Sequence, residues 1–133
     1  MLEQLLQKLI EDMEMGETPQ KNEMGAYPLV LSSDLQVNIK ALDPGLFFYA
    51  PLAPLQPQKR EELLIYLMKA NFLGQGTGDA VIGLDSDEKS LTLSLVLPYD
   101  INYKAFKEAL EDFVNYVDFW KAELARFKKE SEE

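Results

Sequence analysis

The sequence contains neither cysteine nor histidine. The first absence excludes thiol catalysis, disulfides and thiolate metal ligands, and the second excludes Ser-His-Asp triads and Cys/His zinc sites. No apolar run approaches the ~20 residues that a membrane-spanning helix needs. The first 15 residues carry four carboxylates, with neither a basic start nor an uninterrupted apolar stretch, so they do not form a secretory signal. We therefore expect a cytoplasmic protein without membrane insertion.

Basic residues are also scarce. The 133 residues include 13 Lys and Arg against 23 Asp and Glu, which gives a net charge of −10. Phosphate binding depends on Lys and Arg, so this balance argues against nucleic acid and anionic membranes as partners. The hydrophobic fraction of 47% is typical of a folded protein. The length predicts one domain spanning residues 1–133.

Hydrophobic periodicity predicts three helices and five strands. Apolar residues at helical spacing indicate helices over residues 2–13, about 57–71 and about 102–130. Shorter alternating or apolar runs indicate strands over residues 27–31, 35–41, 46–52, 80–84 and 91–97. The order is α-βββ-α-ββ-α. Strands in hairpin groups with helices between them predict an α+β fold with a mostly antiparallel five-stranded sheet.

Two segments are similar to ligand-binding loops but lack the residues that such loops require. The glycine-rich residues 74–78 follow a helix and precede a strand, whereas a phosphate cradle runs from strand to helix. The acidic residues 85–88 begin like a calcium loop, yet the positions for glycine and bidentate glutamate hold Ser90 and Val96. We interpret the first as a tight helix-to-strand connection and the second as a solvated hairpin loop. The sequence therefore predicts no cofactor and no metal.

Carboxylates are the remaining candidates for catalysis. Most lie in stretches rich in solvent-facing charge, and the like-charged pair Glu108 and Asp112 is typical of an exposed helix face. A small carboxylate-using enzyme would instead need an apolar pocket that perturbs a carboxyl pKa. We therefore predict no enzyme and no catalytic residue.

The second predicted helix is apolar on too many sides for one core contact. Residues 63–68 are apolar or aromatic without a break and cover roughly 200° of arc, against ~100° for one buried face. The simplest cover for the second face is another copy of the chain. We predict a homodimer with the interface residues Leu63, Leu64, Leu67 and Met68. The alternative is a helix that is simply buried between the sheet and the third helix.

The first predicted helix and one sheet face supply a second candidate surface. Exposed apolar patches mark partner sites, and an open sheet edge accepts an added strand. The predicted partner-binding residues are Leu2, Leu5, Leu6, Leu9, Met13, Val30, Phe47 and Tyr49. The alternative for each of them is ordinary packing within the chain.

One segment points to a family. Residues 71–84, with the sequence NFLGQGTGDAVIGL, resemble the part of class I type III secretion chaperones in which a glycine-rich turn joins the second helix to a strand ending in Gly-Leu. The family often has glycine where this chain has Asp79. The element order, length and acidity are also similar, so the resemblance to this Tir-chaperone family spans nearly the whole chain.

The resemblance implies a function. Members are small acidic cytosolic homodimers without ATPase activity that bind the N-terminal region of secreted effectors and keep it extended and secretion-competent. In the family, the second helix and a nearby strand form the dimer, and the first helix and sheet patches receive the effector. The alternative function is a general protein-interaction adaptor that is not tied to secretion.

Overall fold

The computed structural model describes residues 1–74 and 76–132. Gln75, in the glycine-rich segment considered above, lies outside the described residues. The elements are α1 (Leu2–Asp12), β1 (Ala26–Ser32), β2 (Leu35–Leu42), β3 (Gly45–Pro54), α2 (Arg60–Asn71), a 3-10 turn (Phe72–Gly74), β4 (Val81–Leu84), β5 (Ser90–Leu97) and α3 (Tyr103–Ser131). The predicted element order is confirmed.

The five strands form one sheet in the order β1-β2-β3-β5-β4, with β1 and β4 at its edges. β1 pairs with β2 and β4 with β5, both antiparallel. In the first pair Leu29 lies opposite Val37, and in the second Ile82 lies opposite Leu93. The predicted α+β fold with an antiparallel five-stranded sheet is confirmed.

The chain divides into two compact units. The first unit comprises Met1–Phe48 and Val96–Asp112, and the second comprises the described residues of Tyr49–Leu95 and Phe113–Glu133. β3, β5 and α3 each contribute residues to both. The assignment of residues 1–133 to one domain stays a prediction.

In the first unit, hydrogen bonds from β1 and α3 hold the two ends of α1. The Tyr27 hydroxyl of β1 donates to the Glu3 carboxylate at 2.9 Å. At the other end, the Tyr103 hydroxyl and the Lys107 ammonium of α3 both donate to the Asp12 carboxylate at 2.8 Å. The apolar stripe of α1 is buried between these ends. In the core of this unit, Phe48 and Phe106 meet edge to face with ring centroids 5.7 Å apart.

In the second unit, Trp120 of α3 is the largest buried side chain. Its indole N–H donates to the carbonyl of Gly76 at 2.9 Å, which satisfies the polar atom that burial would otherwise orphan. Tyr66 of α2 packs against Trp120 and stacks on Phe127. The Tyr66 hydroxyl donates to Glu123 at 2.9 Å, so α2 and this part of α3 are joined by both ring contacts and a hydrogen bond.

The glycine-rich segment is a close-packed connection from α2 to β4, as predicted. Gly74 and Gly78 have φ values of +70° and +62°, which disfavour side chains. Gly76 lies so near α2 that an added Cβ would be 2.9 Å from the Cβ of Ala70. At Gly78 an added Cβ would be 3.0 Å from the Tyr116 ring. Glycine is therefore required by backbone conformation and close approach.

Candidate protein-binding surfaces

Four of the predicted partner-binding residues belong to the core. Leu2, Leu5, Leu6 and Leu9 are at most 8% exposed, because the apolar stripe of α1 packs within the chain itself. Their assignment to a partner site stays a prediction, and in the single chain they offer almost no surface to a partner. Met13, just after α1, is accessible with 46% of its surface exposed.

Val30, Phe47 and Tyr49 do lie away from the core, on the less buried side of their strands. In β3, Leu46, Phe48 and Ala50 are buried, while Phe47 and Tyr49 alternate with them and are half-buried. In β1, Val30 is 58% exposed and lies opposite the exposed Gln36 of β2. We call Val30, Gln36 and Phe47 of the first unit its open sheet face.

The outer edge of β1 is only partly covered. The Ala26 N–H donates to the side-chain oxygen of Asn22 at 3.0 Å, and the Asn22 N–H donates to the Ala26 carbonyl at 2.8 Å. Alternate residues of an antiparallel strand turn their backbone groups to the same side, so Pro28 and Val30 also face outward. Pro28 has no N–H to offer. Val30 is therefore the position where β1 presents both a donor and an acceptor to an added strand.

The outer edge of β4 is covered by α2. The Asn71 side-chain amide donates to the Ile82 carbonyl at 2.8 Å, and its oxygen accepts from the Ile82 N–H at 2.8 Å. The carboxamide thus takes the place of a neighbouring peptide group. It also fixes the end of α2 beside β4, which is the shorter of the two edge strands.

The predicted dimer residues of α2 divide between its two sides. Leu63 and Leu67 are buried in the second unit, Leu64 is half-buried, and Met68 is 71% exposed. The structure therefore excludes the alternative of a completely buried helix. Sequence reasoning missed Ile65 and Phe72, which are 48% and 62% exposed. Ile65 stands three residues before Met68, a spacing that places these two on one side of α2. Phe72 follows the end of α2, in the 3-10 turn.

Exposed apolar residues also occur on β4. Val81 is 53% exposed and Leu84 is 46% exposed. The Asn71 bonds to Ile82 bring β4 next to the end of α2, where Phe72 lies. Side chains alternate along a strand, so Val81 and Leu84 lie on opposite faces of β4, and Leu84 shares the face of the buried Ile82. We call the exposed apolar residues of α2 and its end, together with Leu84, the apolar patch of the second unit: Ile65, Met68, Phe72 and Leu84.

Two carboxyl groups with shifted pKa values, Asp12 and Glu123, belong to ion pairs that support the fold. Hydrogen bonds from Lys107 lower the pKa of the Asp12 carboxyl, and those from Arg126 lower that of the Glu123 carboxyl. A general acid working near neutral pH needs the opposite shift. These carboxylates are therefore suited to holding helices together.

Neither a transmembrane helix nor a metal centre is found in the described part of the chain. None of its helices is long and apolar enough to cross a membrane. Within residues 1–74 and 76–132, no group of three or more Asp or Glu side chains could hold a metal ion.

The sequence matches the Tir chaperone protein (CesT) family over residues 4–121. The chain belongs to this family. The family that the segment 71–84 indicates is thereby confirmed. No curated protein sequence matches the chain.

Solved structures share the fold at low sequence identity. In the ExsC–ExsE complex, the matching chain has a TM-score of 0.75 and 17% identity, with 91% of both chains covered. In the HopA1–SchA chaperone–effector complex the TM-score is 0.69 and the identity 15%, covering 90% of this chain and 91% of the other. The Yersinia pestis type III secretion chaperone SycH, bound to a fragment of YscM2, gives 0.68 and 17%, covering 90% and 99%. At such identities the likeness concerns the fold alone.

Proposed function

We propose that this chain is a type III secretion chaperone that binds the N-terminal segment of an effector protein and keeps it extended and secretion-competent. The observation that carries the proposal is the match to the Tir chaperone family over residues 4–121. Solved complexes of chaperones with this fold, including a chaperone–effector complex, add support. The chemistry is binding without a catalytic step, and the location is the cytoplasm.

The open sheet face and the edge of β1 are the proposed client site. An extended client loses conformational entropy on binding, so its affinity must come from several apolar anchors together with strand pairing. Of the residues predicted from the sequence, Met13, Val30, Phe47 and Tyr49 offer apolar surface, and Val30 also presents backbone groups. A client strand laid along β1 would gain hydrogen bonds there and place alternate side chains near the open face.

The apolar patch of the second unit is the proposed homodimer interface. Its four residues are each 46% to 71% exposed, which is unusual for so many large apolar side chains on neighbouring elements. A second copy that contributes the same patch would cover all of them at once. Of the residues that the sequence predicts for the interface, Met68 is retained in this assignment, whereas Leu63 and Leu67 belong to the core.

The test is capture of a defined client. The chain is co-expressed with the N-terminal segment of each effector of the secretion system in its host, and the complexes are isolated and digested with protease. We expect one or more segments to co-purify, to resist digestion and to show no stable fold of their own. Failure of every effector segment to bind the folded chain would contradict the proposal.

Matched variants locate the client site. Val30→Asp puts a charge on the open sheet face, whereas Met24→Asp makes the same change at a loop position that is 73% exposed. We expect Val30→Asp to weaken capture at least tenfold, because it removes an anchor and places a desolvated charge against the client. Met24→Asp should bind like the unmodified chain. Equal capture by the two variants would remove Val30 from the client site.

A further inference from the structure

The second unit contains an apolar cleft that neither the proposed client site nor the proposed dimer patch uses. It has a volume of about 380 Å³ and lies between the β3–α2 connection and the last turns of α3. Its floor consists of leucines that are at most 6% exposed, Leu52, Leu63, Leu91 and Leu124. A volume of this size holds several apolar groups of a ligand.

The walls of the cleft are tied together. Gln56, in the connection from β3 to α2, is only 7% exposed and donates to the carbonyl of Gln58 at 2.6 Å and to the hydroxyl of Ser131 at 3.2 Å. The Leu55 N–H donates to the carbonyl of Lys89 at 2.8 Å. These bonds fix one wall to the end of α3 and to the start of β5, so the cleft exists before a ligand arrives.

The charge at the rim is opposite to that of the chain. The chain carries a net charge of −10, yet the described residues lining the cleft include Lys121 and Lys128 and no carboxylate. The two lysines are seven residues apart on α3, so they lie on the same side of the helix and about 10 Å apart along its axis. Three residues of extended chain span about the same length.

From this combination we infer that the lysine-rimmed cleft docks an acidic-apolar segment of the client, with apolar side chains on the leucine floor and carboxylates at the two lysines. The identity of the occupant as a client segment rests on the proposed function. The preference for acidic segments does not rest on the proposed function, because it follows from the charge of the rim. The lysines select against basic segments, whereas the acidic remainder of the surface attracts them.

A peptide that alternates leucine and aspartate is the direct probe, with fluorescence anisotropy at low salt as the assay. We expect it to bind the full chain, and we expect peptides alternating leucine with lysine or serine with aspartate to bind more weakly. Backbone amide shifts in NMR spectra should change at residues 121–128. The absence of binding, or shifts confined to other surfaces, would overturn the inference.

Two variants keep the test independent of folding. Lys128→Glu reverses the charge at an exposed rim position, and Lys129→Glu makes the same change at the neighbouring exposed residue, which does not line the cleft. The first should weaken binding of the leucine–aspartate peptide about threefold to tenfold, since exposed pairs contribute modestly. The second should leave it unchanged. Ala125→Trp, which fills the cleft from an exposed position, should abolish binding. Equal effects of the two lysine variants would refute the assignment.

The inference and the proposed function fail in different ways. If effector segments are captured equally by the unmodified chain and by Lys128→Glu, and the peptide does not bind, the cleft is wrong and the chaperone function stands. If the peptide binds in the cleft and no effector segment is captured, the function is wrong and the binding preference of the cleft stands.

Discussion

Substitution of Asn71 tests how strongly its two hydrogen bonds hold the edge strand β4 against α2. Its side chain donates to the Ile82 carbonyl and accepts from the Ile82 N–H, both at 2.8 Å. Asn71→Asp preserves the shape but loses the donor, and it places a carboxylate oxygen against the carbonyl. Loss of one such bond with a partner left unsatisfied costs about 1–3 kcal/mol. We therefore expect the free energy of unfolding to fall by about 1–3 kcal/mol at pH 7.

The pH dependence distinguishes this cause from a general effect of charge. The nearby carbonyl disfavours the charged form, so the pKa of the introduced carboxyl is raised in the folded state. The group then destabilises the fold least at low pH, where it is protonated and can donate again, and most as the pH rises through that pKa. Urea unfolding between pH 4 and 7 measures this difference. The control is Asn115→Asp, which adds the same charge at an exposed site of α3. Equal stability of the two variants at pH 7 would refute the reasoning.

Three further predictions concern single positions in the chain. Gly76→Ala should cost about 1–3 kcal/mol in urea unfolding, because its Cβ would lie 2.9 Å from another Cβ, whereas Gly83→Ala, with nothing within 4 Å, should be nearly neutral. Glu123→Gln should lower the free energy of unfolding by under about 1 kcal/mol at pH 7. Because the pKa of Glu123 is lowered in the folded state, this difference should vanish as the pH falls below 4.5 and through that pKa. Thermal melts at a series of pH values measure it. Met68→Asp should convert a homodimer to monomer in sedimentation at micromolar concentration, while Met24→Asp should not; a dimer unaffected by the first would exclude Met68 from the interface.

The element order and the sheet could be predicted because the apolar periodicity is strong. Leu35, Val37 and Ile39 alternate with polar residues, and the structure buries all three. Pro57 predicts a helix start near residue 57, whereas α2 begins at Arg60. Pro57 is compatible with a first helical turn, but the preceding connection is held instead by the Gln56 side chain, a contact with Ser131 that local sequence does not reveal.

The candidate surfaces are harder to predict, because the sequence does not show whether an apolar residue is buried by its own chain or by a partner. The stripe of α1 has the same spacing whether it faces the core or a partner, and the core uses Leu2, Leu5, Leu6 and Leu9. In α2 the apolar arc is wide enough for two faces, and the predicted interface of Leu63, Leu64, Leu67 and Met68 mixes buried with exposed positions. Once Leu63 and Leu67 are known to be buried, helical spacing places Ile65 and Met68 on a different side.

Oxidation of the methionines by dilute peroxide, followed by mass spectrometry, tests the central claim most directly, because exposed methionine oxidises faster than covered methionine. Met24, Met68 and Met13 are 73%, 71% and 46% exposed in the single chain. At micromolar concentration the account predicts fast oxidation at Met24, slow oxidation at Met68 where the second copy covers it, and slowing at Met13 only after the effector segment is added. Oxidation of Met68 as fast as that of Met24, with Met13 unaffected by the segment, would contradict it.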